Sequence, residues 1–302
     1  MEQTEGKEQV GNGNHTATTL RPLPGGEPCP TCGTMAEPQP DTNGTVTSSY
    51  VYALGRITPR FPRLSVEKEF AQVSGRSATA GLTDRQVLHT VLSQRQNRYL
   101  VRQLCWVLTI EGLETYLLLP RDPADLDLLV DALRPTPSPL DIDVIIGVRG
   151  PIAPPEMCNG LMAPIVAFDQ IYSFDRDSFI KAIPRPEKMT AKNFESTAME
   201  LFERIEQLAD NAGAADDHRA LNYCAVRYPA IYATAVDCHE RNFSLTEVEV
   251  RPSRLSGARK VVDIIFSYAH RQTDAKEKHF CRVDVSEEFP FLVTKILPYY
   301  DR

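Results

Sequence analysis

From Tyr50 onward the apolar positions recur with periods that switch between two and three-to-four residues, and each switch marks an expected element. Val51 to Ile57 reads as a strand. Ser65 is placed to cap a helix running through Phe70, and Thr83 with Asp84 opens a second that carries Val87, Val91 and Leu92. Leu104 to Ile110 and Glu114 to Leu119 alternate as strands around Glu111-Gly112-Leu113, a connection short enough for an antiparallel hairpin. A helix capped by Asp122 follows from Pro123 to Leu133, with Leu126, Leu129, Val130 and Leu133 on one face, and the proline-rich stretch 135–139 ends it. Asp143 to Val148 and Pro164 to Ile171 are apolar strands, joined through the stiff loop Gly150 to Pro155 that delivers Glu156-Met157-Cys158-Asn159-Gly160.

A proline-containing break spans 184–188. Beyond it Phe194, Ala198, Leu201, Phe202, Ile205, Leu208 and Ala209 follow the spacing of an amphipathic helix. A second helix starts at Asp216 or Asp217 and stripes Leu221, Ala225, Tyr228, Tyr232 and Val236, with Pro229 expected to kink it. The remainder reads as sheet: Leu245 to Arg251, Lys260 to Ala269 and Phe280 to Val285, the last two joined by the polar hairpin connection His270 to Lys278. Val262, Ile264, Phe266 and Tyr268 against Val261 and Ile265 make both faces of the middle segment apolar, which marks a central strand. The pattern predicts an α+β fold: a mixed sheet with helices over 49–185, then a helix pair packed on an antiparallel sheet over 186–302.

Residues 1–48 differ in kind. They hold no Phe, Tyr or Trp and six of the 23 prolines, so they cannot bury enough apolar surface to offset chain entropy and are expected to form a flexible tail. With 33 Lys+Arg against 40 Asp+Glu the chain carries −7, which disfavours nucleic acid and anionic membrane as partners. Neither a spanning apolar run nor a signal-peptide pattern is visible, and the expectation is a cytoplasmic protein; a homodimer is compatible with the sequence.

The tail contains one chemical motif, Cys29-Pro-Thr-Cys32 followed by Gly33, whose spacing turns two thiolates toward one tetrahedral ion. The plain alternative is two free thiols. If zinc is bound, two further ligands must come from the folded body, with Cys158 first because it sits in a proline-stiffened loop and Cys105 second. Four thiolates would close the site and make zinc a structural staple. Cys238-His239 and His279-x-Cys281 form a weaker second cluster, since nothing in the sequence requires them to meet. Recognisable catalytic frames are absent: no G-x-S-x-G, phosphate loop, dinucleotide fingerprint or HExxH. Glu111 with Glu114 is a carboxylate pair better explained as a solvated hairpin tip. Arg251, Arg254, Arg259 and Lys260 concentrate positive charge in one segment and suit an acidic peptide, or are simply a charged loop.

Longer words carry a resemblance. YVYALGRI (50–57), FPRLSVEKEF (61–70), LCWVLTIEG (104–112), RGPIAPPEMCNG (149–160), VRPSRLSG (250–257), EFPFLVTK (288–295) and PYYDR (298–302) resemble the C-terminal domain of the PatA-type and PatG-type proteins of cyanobactin biosynthesis. In that family the domain follows a subtilisin-like protease and has no assigned function. The resemblance therefore implies a non-catalytic accessory protein of ribosomal peptide maturation that binds a precursor peptide or docks modifying enzymes. No protease domain is expected here, so neither protease nor macrocyclase activity is carried over. The rival expectation is a zinc- or cysteine-dependent peptide-modifying enzyme, with Cys158 as the residue to suspect.

Overall fold

The apolar run at Tyr50 lacks polar alternation because both of its faces are covered. Strand β1 (Tyr50–Arg60) turns Val51, Ala53 and Ile57 one way and Tyr52 and Leu54 the other, and all five are buried. The structure, a computed structural model, describes residues 50–75, 80–185 and 190–300, so the expected tail, with Cys29 and Cys32, lies outside the described residues.

After β1 come helices α1 (Leu64–Ser74), α2 (Asp84–Leu92) and α3 (Arg98–Gln103), then strands β2 (Cys105–Ile110) and β3 (Leu113–Pro120) and helix α4 (Leu126–Asp131). Strands β4 (Asp141–Ile152) and β5 (Pro164–Asp175) and helix α5 (Arg176–Ala182) complete the first half. Thr83 caps α2 through a reciprocal pair, its N–H donating to Gln86 Oε1 at 3.0 Å while its side chain accepts from the Gln86 N–H. Ser65 does not cap α1; the helix begins a residue earlier, after an extended Arg63. Helices α3 and α5 were not expected, because one or two turns carry too few positions to show a period.

The mixed sheet of the first half is closed. Strands β1-β2-β3-β5-β4 form a five-stranded barrel, antiparallel at every junction except β3 with β5, which run parallel from Leu117 opposite Ile165 to Pro120 opposite Phe168. One face of all five strands, including Ile57, Trp106, Leu108, Leu118, Ile145 and Phe168, packs with α1 to α4 into one core. Arg85 ties that helical cover to the wall by donating to Ile57 O, Leu133 O and Ala132 O. Asp143, fully buried in β4, accepts from the Ile57 N–H at 2.6 Å and from Ser173.

The second half comprises α6 (Ala191–Leu208), α7 (Asp216–Arg227) and α8 (Ala230–Glu240), then β6 (Phe243–Pro252), β7 (Val261–His270), β8 (Lys276–Asp284) and β9 (Phe291–Pro298) in antiparallel spatial order. Pro229 breaks the expected long helix instead of kinking it, because a residue before proline avoids the helical region, and Tyr228 sits at φ −122°, ψ 82°. Strand β7 is central, buried on both faces. Its inner face, with α5 to α8 and the barrel's outer wall at Tyr52, Leu54, Val144 and Ile146, forms the larger core. The expected halves therefore share one core, and contacts place the described residues in a single compact unit. Among the described residues no helix is long and apolar enough to cross a membrane.

Barrel and helices are joined along an edge. The first part of β1 pairs with β4 on one side only, and its other edge meets the connection between α6 and α7. Tyr52 N–H donates to Gly213 O at 3.1 Å, Leu54 N–H to Asn211 O at 2.8 Å, and Asn222 Nδ2 to Tyr52 O at 2.8 Å. Gly213 has φ +55°, and a Cβ there would stand 1.9 Å from the Tyr52 carbonyl oxygen. Gly257 has nearly the same φ, +54°, with nothing within 4 Å of its Cβ position. Gly257→Ala should therefore cost about 1 kcal/mol of backbone strain. Gly213→Ala adds the clash and should cost about 2–5 kcal/mol, read as the difference in denaturant midpoint between the two variants.

Candidate functional site

The cysteines chosen for zinc meet, but in a different chemical form. Cys105 on β2 and Cys158 in the loop after β4 are joined as a disulfide, their Cα atoms 5.9 Å apart. In that form neither sulfur is a thiolate and neither can ligate zinc. Both are buried with Val107, Leu117 and Ala153 in a small apolar cluster, so Cys158 does not aim outward as its loop implied.

The second cysteine cluster is rearranged. Cys281 faces inward to Cys224 of α7, sulfur to sulfur at 3.9 Å, and His239 points into a separate cavity of about 180 Å³ between α6, α8 and β6. Cys238 and His279 do meet: Sγ and Nε2 are 3.8 Å apart, and Glu277 Oε1 lies 2.8 Å from the same Nε2. Cys238, Glu277 and His279 thus form a possible metal-binding group. A cation is already present, since the Arg241 guanidinium donates to both Glu277 oxygens, at 2.6 and 3.0 Å, and to Cys238 Sγ at 3.4 Å. Its bond holds the Glu277 carboxyl below the ordinary range. Burial, then the Glu277 charge, pushes the Cys238 thiol up to about 12, which makes it a poor nucleophile at neutral pH.

The basic segment is largely neutralised within the fold. Arg259 pairs with Asp284 at 3.3 Å, Lys260 with Asp216 at 3.0 Å and Arg251 with Glu249 at 3.3 Å, while Arg254 is exposed in the turn after β6. Arg251 also lies over the Tyr299 ring at 5.4 Å, Tyr299 meets Phe280 edge-on at 5.6 Å, and Arg282 lies over Phe280 at 4.7 Å. This row runs across the outer face of the sheet. Beside it β9 alternates: Leu292 and Ile296 enter the core, while Phe291, Val293 and Leu297 remain 41–49% exposed, flanked by Phe289 and Tyr300. The edge of β9 is less open than the face, because Ile296 N–H donates to the Tyr228 hydroxyl at 2.8 Å and Leu292 N–H to that of Tyr223.

One carboxyl pair departs strongly from ordinary behaviour. Asp169 of β5 and Glu288 of the β8–β9 connection share a hydrogen bond, and Arg121 after β3 reaches them at 2.6 and 3.3 Å. Burial, then the bond to Asp169 and its charge, pushes the Glu288 carboxyl up to about 7. Burial acts on Asp169 too, but the bonds from Glu288 and Arg121 outweigh it and hold that carboxyl below its ordinary value. Fully buried Arg219 fixes the same connection, donating to Val285 O at 2.7 Å and Glu288 O at 3.1 Å. Glu111 and Glu114 are not such a pair: Glu114 is bound by Arg60 and Glu111 sits at the turn with φ +49°.

The arrangement defines an α+β protein in which a helix layer lies between a closed barrel and an antiparallel sheet. Residues 188–299, which contain the helix layer and the sheet, match the family model described as PatG C-terminal. A solved structure described as "PatG Domain of Unknown Function" is similar to this chain at a TM-score of 0.69 and 19% identity, covering 83% of this chain and 99% of that one. Comparison with curated proteins finds no match. The resemblance read from the sequence thus agrees with both matches, and the α+β class expected from the apolar pattern agrees with the observed fold.

Asp169, Glu288 and Arg121 carried no sequence signal, because they come from one strand and two connections far apart in the chain. Their pairing has a measurable sign. Glu288 holds its proton more tightly folded than unfolded, so its contribution is complete below about pH 4.5 and is lost as pH rises through about 7. The wild type should lose roughly 1 kcal/mol, about 2–4 °C in Tm, against Glu288→Gln between pH 5 and 8. Buried Asp143, itself pushed up to about 6 by desolvation, titrates in both proteins and cancels in that difference.

Proposed function

We propose that this chain is a non-catalytic accessory protein of cyanobactin-type peptide maturation that docks a precursor peptide on the outer face of its C-terminal sheet. The observation that carries this reading is the exposed stripe Phe291, Val293 and Leu297 beside the row of Arg251, Tyr299, Phe280 and Arg282. An apolar stripe flanked by arginines over aromatic rings suits a segment with apolar and acidic side chains. Addition of a strand at β9 is the less favourable mode, since two of its N–H groups are held by Tyr223 and Tyr228. The family link supports peptide maturation as the setting and says nothing of the surface.

A zinc staple belongs to the same proposal. Reduced Cys105 and Cys158 offer two adjacent thiolates, and Cys29-Pro-Thr-Cys32 offers the two that would complete a closed tetrahedral set.

Docking is tested by titrating the full chain with a fluorescent cyanobactin-type precursor peptide. Binding at micromolar concentration, weakened roughly tenfold or more by Phe291→Glu and Leu297→Glu with Tm unchanged, is the expected result. Binding that ignores both substitutions removes this face from the mechanism, and capture of a modifying enzyme in place of the peptide shifts the partner. The staple is tested by native and denaturing intact mass of protein purified under reducing conditions. One zinc, with all seven cysteines as free thiols after its release, is expected; a metal-free chain lighter by two hydrogens leaves the disulfide as the working form.

A further inference from the structure

A second site stands at the carbonyl end of α8, away from the outer face of the sheet. Strand β8 alternates, so Glu277, His279 and Cys281 share one face; Cys281 lies in the core, while Glu277 and His279 reach the margin where the last turn of α8 brings Cys238. Glu277 is 28% exposed, His279 13% and Cys238 0%, so the three donors run from the surface into the interior.

The donors come to one point. Cys238 Sγ and Glu277 Oε1 lie 3.8 and 2.8 Å from the same His279 nitrogen, Nε2. That sharing does not fit a nucleophile relay, in which the carboxylate holds the other ring nitrogen and leaves Nε2 to the thiol. It fits an ion. A tetrahedral zinc, with bonds of about 2.3 Å to sulfur and about 2.0–2.1 Å to nitrogen, holds those two atoms about 3.6 Å apart. Sulfur and nitrogen already stand at ligand spacing, and only Glu277, the most exposed of the three, has to draw back, by roughly half an ångström. Thiolate, imidazole and carboxylate are donor types of zinc sites, and the carbonyl end of α8 adds partial negative charge beside them.

Arg241 is the competing cation. Its terminal nitrogens donate to Glu277 and to Cys238 Sγ. The side chain is half-exposed, however, its Nε is held by Asp237 at 3.1 Å, and its guanidinium lies 5.4 Å over the Phe243 ring. Asp237 and Phe243 can therefore keep Arg241 at the rim when an arriving ion displaces its terminal nitrogens.

We infer that Cys238, Glu277 and His279 bind one zinc ion, with Arg241 as the cover that the ion displaces. The Cys238 proton passes to solvent as the thiolate binds. Three protein ligands leave the fourth position open, so this site takes an exchangeable ion and, through it, a further ligand, unlike a closed four-thiolate staple. It shares no residue with the staple or the docking face, so each can fail alone.

The test is a cobalt(II) titration of the full chain, reduced and stripped of metal, carrying Cys29→Ser and Cys32→Ser so that the staple is removed. One equivalent should bind with a thiolate-to-cobalt absorption band, and zinc should then bleach it. Cys238→Ser should abolish the band, and Glu277→Gln should weaken binding roughly tenfold or more. Arg241→Gln, which removes the competing charge and leaves all three ligands, should tighten binding several-fold, a change that misfolding does not produce. Imidazole added to the loaded protein should shift the band by entering the open position; an unchanged band overturns the exchangeable site. A band that survives Cys238→Ser belongs to Cys105 and Cys158 and overturns the inference, as does no band at millimolar cobalt(II) or weaker binding in Arg241→Gln.

Discussion

Strand β1 is the member on which the other elements depend, because its first part has neither a free face nor a free edge. Val51, Ala53 and Ile57 belong to the barrel core, Tyr52 and Leu54 to the core shared with the helices and sheet. Backbone N–H groups left unpaired at such depth would each cost as much as a lost hydrogen bond. The connection between α6 and α7 removes that cost by lying along the edge of β1 as an irregular strand would. The approach is close enough to require Gly213 and to draw the Tyr116 hydroxyl onto Ala212 O at 3.0 Å. Barrel and helix layer are thereby registered by hydrogen bonds as well as by packing.

Charge is used inside this fold to satisfy backbone. Arg85 and Arg219 spread their donors over main-chain carbonyls, those of Ala132, Leu133, Val285 and Glu288 beyond the ends of regular elements and that of Ile57 within β1. Asp143 does the converse, accepting from a β1 N–H. These groups fix where α2, α4 and the β8–β9 connection sit, and desolvation accounts for the lowered pKa of both arginines. The Asp169–Glu288–Arg121 latch belongs to the same set, joining barrel wall to sheet through a shared proton.

The outer sheet face follows another logic. Its arginines lie over aromatic rings and are partly neutralised by Glu249 and Asp263, so it presents apolar surface with limited net charge. Such a surface recognises shape and apolar area more than it steers from a distance. The capped edge of β9 fits a protein that exposes a face and blunts indiscriminate strand pairing.

Local pattern determined the elements whose signal is local. The hairpin at Glu111-Gly112, the helix start at Thr83, the amphipathic α6 and the doubly buried β7 were legible because turn chemistry and periodicity act within a few residues. Helices α3 and α5 were too short for a period to show. Strand β9 was missed because its apolar residues lie on both faces and its prolines read as loop. Closure of the barrel through parallel β3 and β5, the meeting of Cys238 with His279 and the Asp169–Glu288 latch were decided by tertiary structure alone. Each depends on residues brought together across long stretches of chain, and burial, which sets their chemistry, is a property of the packed whole.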